Sequence, residues 1–318
     1  MRYYFAPMEG ITCSIFRNAH ARWFGGVDKY YMPFLSPSQE HSFTRKGFHD
    51  LLPEHNVGVP AVPQLLTKCA ADFLWAAGEL QDMGYGEINL NLGCPSGTVT
   101  AKGKGAGFLG DPEGLDRFLD EIFSAATVEI SVKTRLGVRS DEEFEALLEI
   151  YNKYPISELT IHPRVRADFY KNKVHMEVFA RALPRSRNPV CYNGDLTGAA
   201  DCLALADRFP AVGAIMLGRG LCANPGLALQ ARGGAGASKA ALRGFHDEIY
   251  TGYTAAFGER RNAMRRMKEL WSYLICLFED SDAQGKRLRK ATDPADYEAV
   301  VDSIFHNLDL RQDAKTFW

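Results

Sequence analysis

The sequence lacks most of the features that announce a function early. Its seven cysteines (Cys13, Cys69, Cys94, Cys191, Cys202, Cys222 and Cys276) include no CxxC pair and no Cys/His cluster at zinc spacing. That excludes the common zinc modules, gives no metal site, and favours reduced thiols in the cytoplasm over a disulfide framework. No apolar run is long enough to span a bilayer, and Met1-Arg2 leads directly into a strand pattern with no leader signal, so no membrane association is expected. An excess of charge of one sign is also missing. The net charge is −2, so any nucleic-acid contact must come from local basic surface. There is no GxxxxGK[ST] phosphate loop, no solenoid repeat and no long low-complexity tract.

Two segments fit a dinucleotide fingerprint literally, and both lack its context. Gly105–Gly110 begins well after its strand has ended. Residues 218–223 (GRGLCA) follow a strand directly, but Asn224-Pro225 interrupts the next helix and no acidic residue stands about twenty positions on.

What is present is a regular alternation. Short runs rich in β-branched and aromatic residues fall at 3–6, 28–32, 61–65, 87–91, 128–133, 158–162, 190–193 and 213–217. Amphipathic stretches lie between most of them. One begins at Asp111-Pro112-Glu113 and places Leu115, Phe118, Leu119, Ile122 and Phe123 on one face. Another begins at the capping-box pattern Ser140-Asp141-Glu142-Glu143 and carries Phe144, Leu147, Leu148 and Tyr151. Eight such units in about 235 residues predict an α/β fold, a (β/α)8 TIM barrel over 1–235. A glycine-rich connector at 233–238 precedes a change of pattern, and a small all-helical domain is expected over 239–318. Its apolar stripe is Met267, Leu270, Trp271, Leu274, Leu277 and Phe278.

Barrels of this kind carry their chemistry where strands run into the following loops. At those positions stand Pro7-Met8-Glu9, Gln64, Asn91 with Cys94, Lys133 with Arg135, His162 with Arg164, Asn193-Gly194-Asp195 and Gly218-Arg219. Taken singly, each has a bland explanation. A buried cysteine is more often core than catalytic, a histidine after a strand can be structural, and Asn-Gly-Asp is an ordinary turn. The weight comes from their landing at one face. Cys94 lies in a Gly-Cys-Pro loop, not on an apolar face. Lys133 ends a buried run, where an ammonium is costly unless paired or functional. Glycines beside Arg219 after the last two strands suit a phosphate. In the helical region Arg261, Arg265 and Lys268 share one stripe, with Arg260 and Arg266 beside it, and Lys286–Lys290 forms a second cluster; a solvated charged face is the plain alternative.

With these residues in view, the chain resembles the tRNA-dihydrouridine synthases over nearly its whole length. The resemblance is carried by residues 6–10 (APMEG), Gln64, 91–95 (NLGCP), 132–135 (VKTR), 162–164 (HPR), 193–195 (NGD) and Gly218-Arg219. Pro7-Met8-Glu9 and Trp271-Ser272-Tyr273-Leu274 are similar to the branch that acts on tRNA position 16. The family's usual His-Gly-Arg is here His162-Pro163-Arg164, which removes one backbone N–H.

The resemblance implies an oxidoreductase that uses non-covalent FMN, with NADPH or NADH as electron source, to reduce a uridine in tRNA to 5,6-dihydrouridine. Hydride would pass from flavin N5 to uracil C6, and Cys94 would protonate C5 as general acid. Pro7, Met8, Glu9, Gln64, Asn91, Lys133, His162, Asn193, Gly194, Asp195, Gly218 and Arg219 would serve the cofactor. Arg135, Arg164, Arg261, Arg265 and Lys268 would serve the tRNA, with no obligate protein partner. Two other readings remain open from the residues. One is a small-molecule FMN barrel such as a dihydroorotate dehydrogenase or ene-reductase; the other is a tRNA-binding module without catalysis.

Overall fold

The computed structural model describes residues 1–38 and 40–316. Nine parallel strand segments form one sheet: β1 (Arg2–Phe5), β2 (Lys29–Tyr31), β3 (Ala61–Val62), β4 (Gln64–Leu65), β5 (Glu87–Leu92), β6 (Glu129–Arg135), β7 (Leu159–His162), β8 (Val190–Asn193) and β9 (Ala214–Leu217). The order is β3-β2-β1-β9-β8-β7-β6-β5-β4. β3 and β4 are two halves of one strand, divided at Pro63. Proline has no N–H for the ladder, yet its carbonyl still accepts from Asn89 N at 2.9 Å. β3 pairs with β2 and β4 with β5, so the sheet closes through Pro63 into the expected eight-stranded barrel.

The predicted helices form where capping and apolar spacing coincide. The helix Pro112–Ala125 starts at Asp111, whose carboxylate accepts from Gly114 N at 3.0 Å, and buries Leu115, Phe118, Leu119 and Ile122. The helix Glu143–Tyr151 is held at its start by Glu143, which accepts from the N–H groups of Val138, Arg139 and Ser140. Those helices pack on the outside of the barrel wall. A smaller set inside the barrel, including Tyr4, Tyr31, Cys191 and Met216, fills its axis.

Beyond residue 238 the chain is helical, with helices Lys239–Phe257, Arg260–Leu274, Asp282–Lys290 and Pro294–Asn307. The predicted stripe from Met267 to Phe278 is buried throughout. Trp271 Nε1 and His246 Nε2 both reach the Tyr297 hydroxyl, at 3.0 and 2.7 Å. These helices share one apolar core with the barrel. Phe245 meets Phe16 of the helix Ser14–Trp23 edge-on at 5.4 Å. The two helices approach so closely that a Cβ on Gly244 would lie 2.1 Å from the Trp23 ring.

Candidate active site

The C-terminal ends of the strands surround a cavity of about 550 Å³. Every sequence-predicted barrel residue lines it except Arg164, which stands in the wall behind. Pro7, Met8 and Glu9 come from the loop after β1, Gln64 from β4, Asn91 from β5, and Lys133 and Arg135 from β6. His162 ends β7, Asn193 ends β8 with Gly194 and Asp195 beyond it, and Gly218 and Arg219 follow β9.

Cys94 hangs on a loop tied to the strands below it. Asn91 Oδ1 accepts from the N–H groups of Gly93 and Cys94 at 3.0 and 2.9 Å. Asn91 Nδ2 donates to Gln64 Oε1 at 2.8 Å, Gln64 Nε2 to Asn89 Oδ1 at 2.7 Å, and Asn89 Nδ2 to Ser131 Oγ at 2.9 Å. All four residues are buried. Gln64 and Asn91 thus form a line of amides through the barrel that ends at the cysteine loop, a role the sequence did not suggest. On the loop's far side Ala106 N donates to Cys94 O at 3.0 Å. Gly105 permits that closure: its φ is +56°, and a Cβ there would stand 2.9 Å from Cys94 O.

Burial pushes the Cys94 thiol above its ordinary range, against the opposing pull of the Ser96 N–H and of the Arg135 and Lys133 charges. The thiol is therefore protonated at neutral pH, the form a proton donor needs and a nucleophile does not. Burial, reinforced by the Arg135 charge, pulls the Lys133 ammonium down to about 8. Burial holds His162 well below its usual range, with Arg135, Lys133, Arg164 and Arg219 all adding to the effect. His162 is thus neutral. Arg164 Nη1 donates to its Nε2 at 3.0 Å, which leaves the proton on Nδ1.

Three of the predicted contacts sit differently from the expectation. Arg135 and Arg164, expected on the tRNA side, are both buried. Arg135 donates to the carbonyls of Gly93, Val165 and Phe169 at 2.9, 2.9 and 2.8 Å, so it ties the cysteine loop to the loop after β7. Arg164 donates to Asn172 O at 2.7 Å and grips Asp195 with both terminal nitrogens. Asp195 also accepts from Arg219 Nη2 at 2.7 Å. Lys268 leaves the exposed stripe, because its Nζ turns to Ala291 O at 2.9 Å and satisfies the end of the neighbouring helix. Arg261 and Arg265 remain exposed.

Spacing rules missed three aromatic residues on the cavity. Phe34 follows β2, and Tyr170 lies in the loop after β7, its ring 5.2 Å from the Arg135 guanidinium and 5.3 Å from that of Arg219. Tyr273, with Ser272, comes from the helix Arg260–Leu274, so the C-terminal helices complete the wall. The available signal was a polar pair, Ser272-Tyr273, set between apolar residues in 270–274 (LWSYL) and off the buried stripe.

Among the described residues no group of three or more His, Cys, Asp or Glu side chains is placed to hold a metal ion, and no helix is long and apolar enough to cross a membrane. The arrangement is a cationic, half-open pocket with a protonated thiol at its rim, suited to an anionic planar ligand and to proton donation.

Comparison with known proteins gives this geometry a family. Across 236 residues the chain is 33% identical to a tRNA-dihydrouridine(16) synthase of Aquipseudomonas alcaligenes, covering 71% of this chain and 73% of that one. It is 28% identical over 228 residues to tRNA-dihydrouridine synthase B of Pasteurella multocida, covering 71% and 67%. Among solved structures, morphinone reductase in complex with tetrahydroNAD aligns with a TM-score of 0.53 at 11% identity, over 75% of this chain and 88% of that one, a likeness of fold alone. The model of the family described as dihydrouridine synthase matches residues 4–256, from β1 to the first long helix beyond the barrel. The chain therefore belongs to the tRNA-dihydrouridine synthase family, whose members are flavin oxidoreductases.

Proposed function

We propose that this chain reduces a uridine of tRNA to 5,6-dihydrouridine, with FMN in the barrel-mouth cavity and NADPH or NADH as reductant. The observation that carries the reading is the protonated Cys94 thiol held on the same cavity as three buried or half-buried cations, Lys133, Arg135 and Arg219, with Arg164 in the wall behind them. The residues present fit FMN. The cavity lies within the roughly 300–1,000 Å³ of small-ligand sites. Gly194 and Gly218 bring backbone to the cavity wall and Arg219 adds charge for a phosphate, and Lys133 offers a cation to an electron-rich ring.

Bound FMN would supply the hydride, from N5 to uracil C6. Cys94 holds the proton that C5 then requires, and its raised pKa keeps that proton in place until carbon accepts it. Asn91 fixes the loop on which the thiol sits. Neutral His162, with Arg164 on Nε2, presents an N–H donor at Nδ1. Arg261 and Arg265 supply phosphate contacts, and the uridine must leave its stack to reach the barrel mouth. Position 16 is the target this reading favours, on the likeness of Pro7-Met8-Glu9 and Ser272-Tyr273 to that branch and on the printed specificity of the Aquipseudomonas relative. Such a reaction belongs in the cytoplasm, where tRNA matures.

The test is direct. Purified protein is supplied with FMN, NADPH and an unmodified tRNA transcript, and dihydrouridine is mapped. A yellow, FMN-bearing protein and dihydrouridine at a single position are expected. A protein that cannot bind FMN overturns the cofactor assignment. A flavoprotein that reduces small enones but leaves tRNA untouched overturns the substrate.

A further inference from the structure

The loop between β7 and the helix Met176–Ala182 presents an unusual residue at the rim. Phe169 has φ +49° and ψ −106°, a backbone region that a bulky side chain rarely occupies. Glycine would sit there without strain. The ring nevertheless keeps 41% of the residue's surface exposed, so burial does not explain the choice. The conformation is held from beneath, because the Phe169 carbonyl accepts from Arg135 Nη2 and its N–H donates to Arg166 O at 3.2 Å. The Arg166 guanidinium packs 5.7 Å from the ring centroid and donates to Thr100 Oγ1 at 3.2 Å. Phe169 is thus tied through Arg135 to the Gly93 carbonyl of the cysteine loop, and it stands next to Tyr170, which lines the cavity. Arg139, Lys171 and Lys173 are exposed in the surrounding chain. A strained, solvent-facing aromatic braced by cations beside a pocket has the composition of a single-stranded nucleic-acid platform.

We propose that Phe169 is a stacking platform for a nucleobase that flanks the target uridine. Extracting one base from a stack exposes a face of its neighbour, and an aromatic ring at the pocket's edge covers that face. The ring's position gives it this task without any part in hydride or proton transfer. The inference rests on the tRNA reading above, and the experiment separates the two.

Phe169→Gly removes the ring and relaxes the backbone, so its melting temperature should equal or exceed that of the parent. FMN content and flavin reduction by NADPH should be unchanged. The Kd and KM for tRNA should rise about 5- to 150-fold, the range that stacking of one base supports. Phe169→Trp should restore parental affinity. A tRNA carrying an abasic residue beside the target should bind the parent enzyme as weakly as intact tRNA binds Phe169→Gly, and combining the two changes should add nothing further. Parental tRNA affinity in Phe169→Gly, or an abasic penalty that persists undiminished in that variant, overturns the platform while leaving the tRNA reading intact. Loss of FMN or of NADPH-driven reduction in Phe169→Gly also overturns it, by showing a purely structural role. If the parent enzyme itself neither binds nor reduces tRNA, the tRNA reading falls first.

Discussion

The two ends of the barrel use the same kinds of side chain to opposite effect. At the N-terminal end charges meet in balanced pairs: Arg2 with Glu158 at 3.1 Å, and Lys29 with Glu87 at 2.5 Å. Tyr4 and Tyr31 add hydroxyl contacts to the two carboxylates at 2.9 and 3.3 Å. At the C-terminal end Lys133, Arg135, Arg164 and Arg219 gather round His162, and among the described residues only Arg164 and Arg219 share a carboxylate there, that of Asp195. One end neutralises itself. The other keeps an excess of positive charge and accepts the desolvation that this entails, visible in the lowered pKa values of Lys133 and His162. Charge left uncompensated inside a fold is a mark of function, and charge compensated inside it is a mark of structure.

The sharpest way to separate the ends is to remove the thiol. Cys94→Ala should keep its FMN and its reduction by NADPH but lose tRNA reduction by about 10²–10⁴-fold, the range of general acid catalysis, in single-turnover assays. Next in size is the phosphate grip. Arg219→Ala should weaken FMN binding by about 1.5–3 kcal/mol, read by fluorescence titration of the apoprotein. Unchanged affinity would mean the excess charge serves something other than the phosphate.

The closed end should respond in stability alone. Arg2→Ala leaves the Glu158 carboxylate buried with less compensation, costing about 1–2 kcal/mol in urea unfolding at pH 7. That is the lower part of the range for a charged contact, since half of Arg2 is exposed. Burial already raises the Glu158 pKa in the fold. A raised folded pKa favours the protonated native state, so the loss should shrink as pH falls through that pKa towards the unfolded value. FMN affinity should not change. A variant that loses FMN would show that the two ends are coupled.

The open end should respond to pH in the other direction. Below about pH 8 Lys133 is charged in the free protein, and FMN affinity should be flat. Above that value binding an anion must take up a proton, so affinity should fall by up to about tenfold per pH unit. Lys133→Gln should abolish that slope. The smallest effect belongs to the surface. Neutralising Arg261 and Arg265 should lower the slope of log tRNA affinity against log salt by about 0.7–0.9 for each phosphate that is no longer neutralised, with flavin chemistry untouched. An unaltered slope would leave them as solvated charge.

Much of this was legible in one dimension, for reasons that differ by residue. All eight strands could be located because each is a short run buried on both faces, so composition alone marks it. The division at Pro63 could have been anticipated from proline's missing N–H. Strand-end residues could be gathered because a barrel converts sequence position into a shared face. What escaped was pairing. Nothing local says that Arg135 will spend its donors on three carbonyls, that Arg164 will close on Asp195, or that Lys268 will turn to a helix end. Those partners lie 23 to 42 residues away. Tyr170 and Phe34 escaped because an aromatic residue in a loop belongs to no periodicity.

The amide line beneath Cys94 has a sense of direction. It begins at backbone N–H groups, which can only donate, so every amide below must point its oxygen up the barrel and its nitrogen down. None of the three can flip alone, and none can ionise. The cysteine's position is therefore written in the strands and insulated from the chemistry of the rim. Beyond Pro95 the residues that close on the cysteine's carbonyl, Gly105 and Ala106, share in that support, so changes elsewhere in the loop can alter which nucleic-acid surface is admitted while the proton donor stays where the strands hold it.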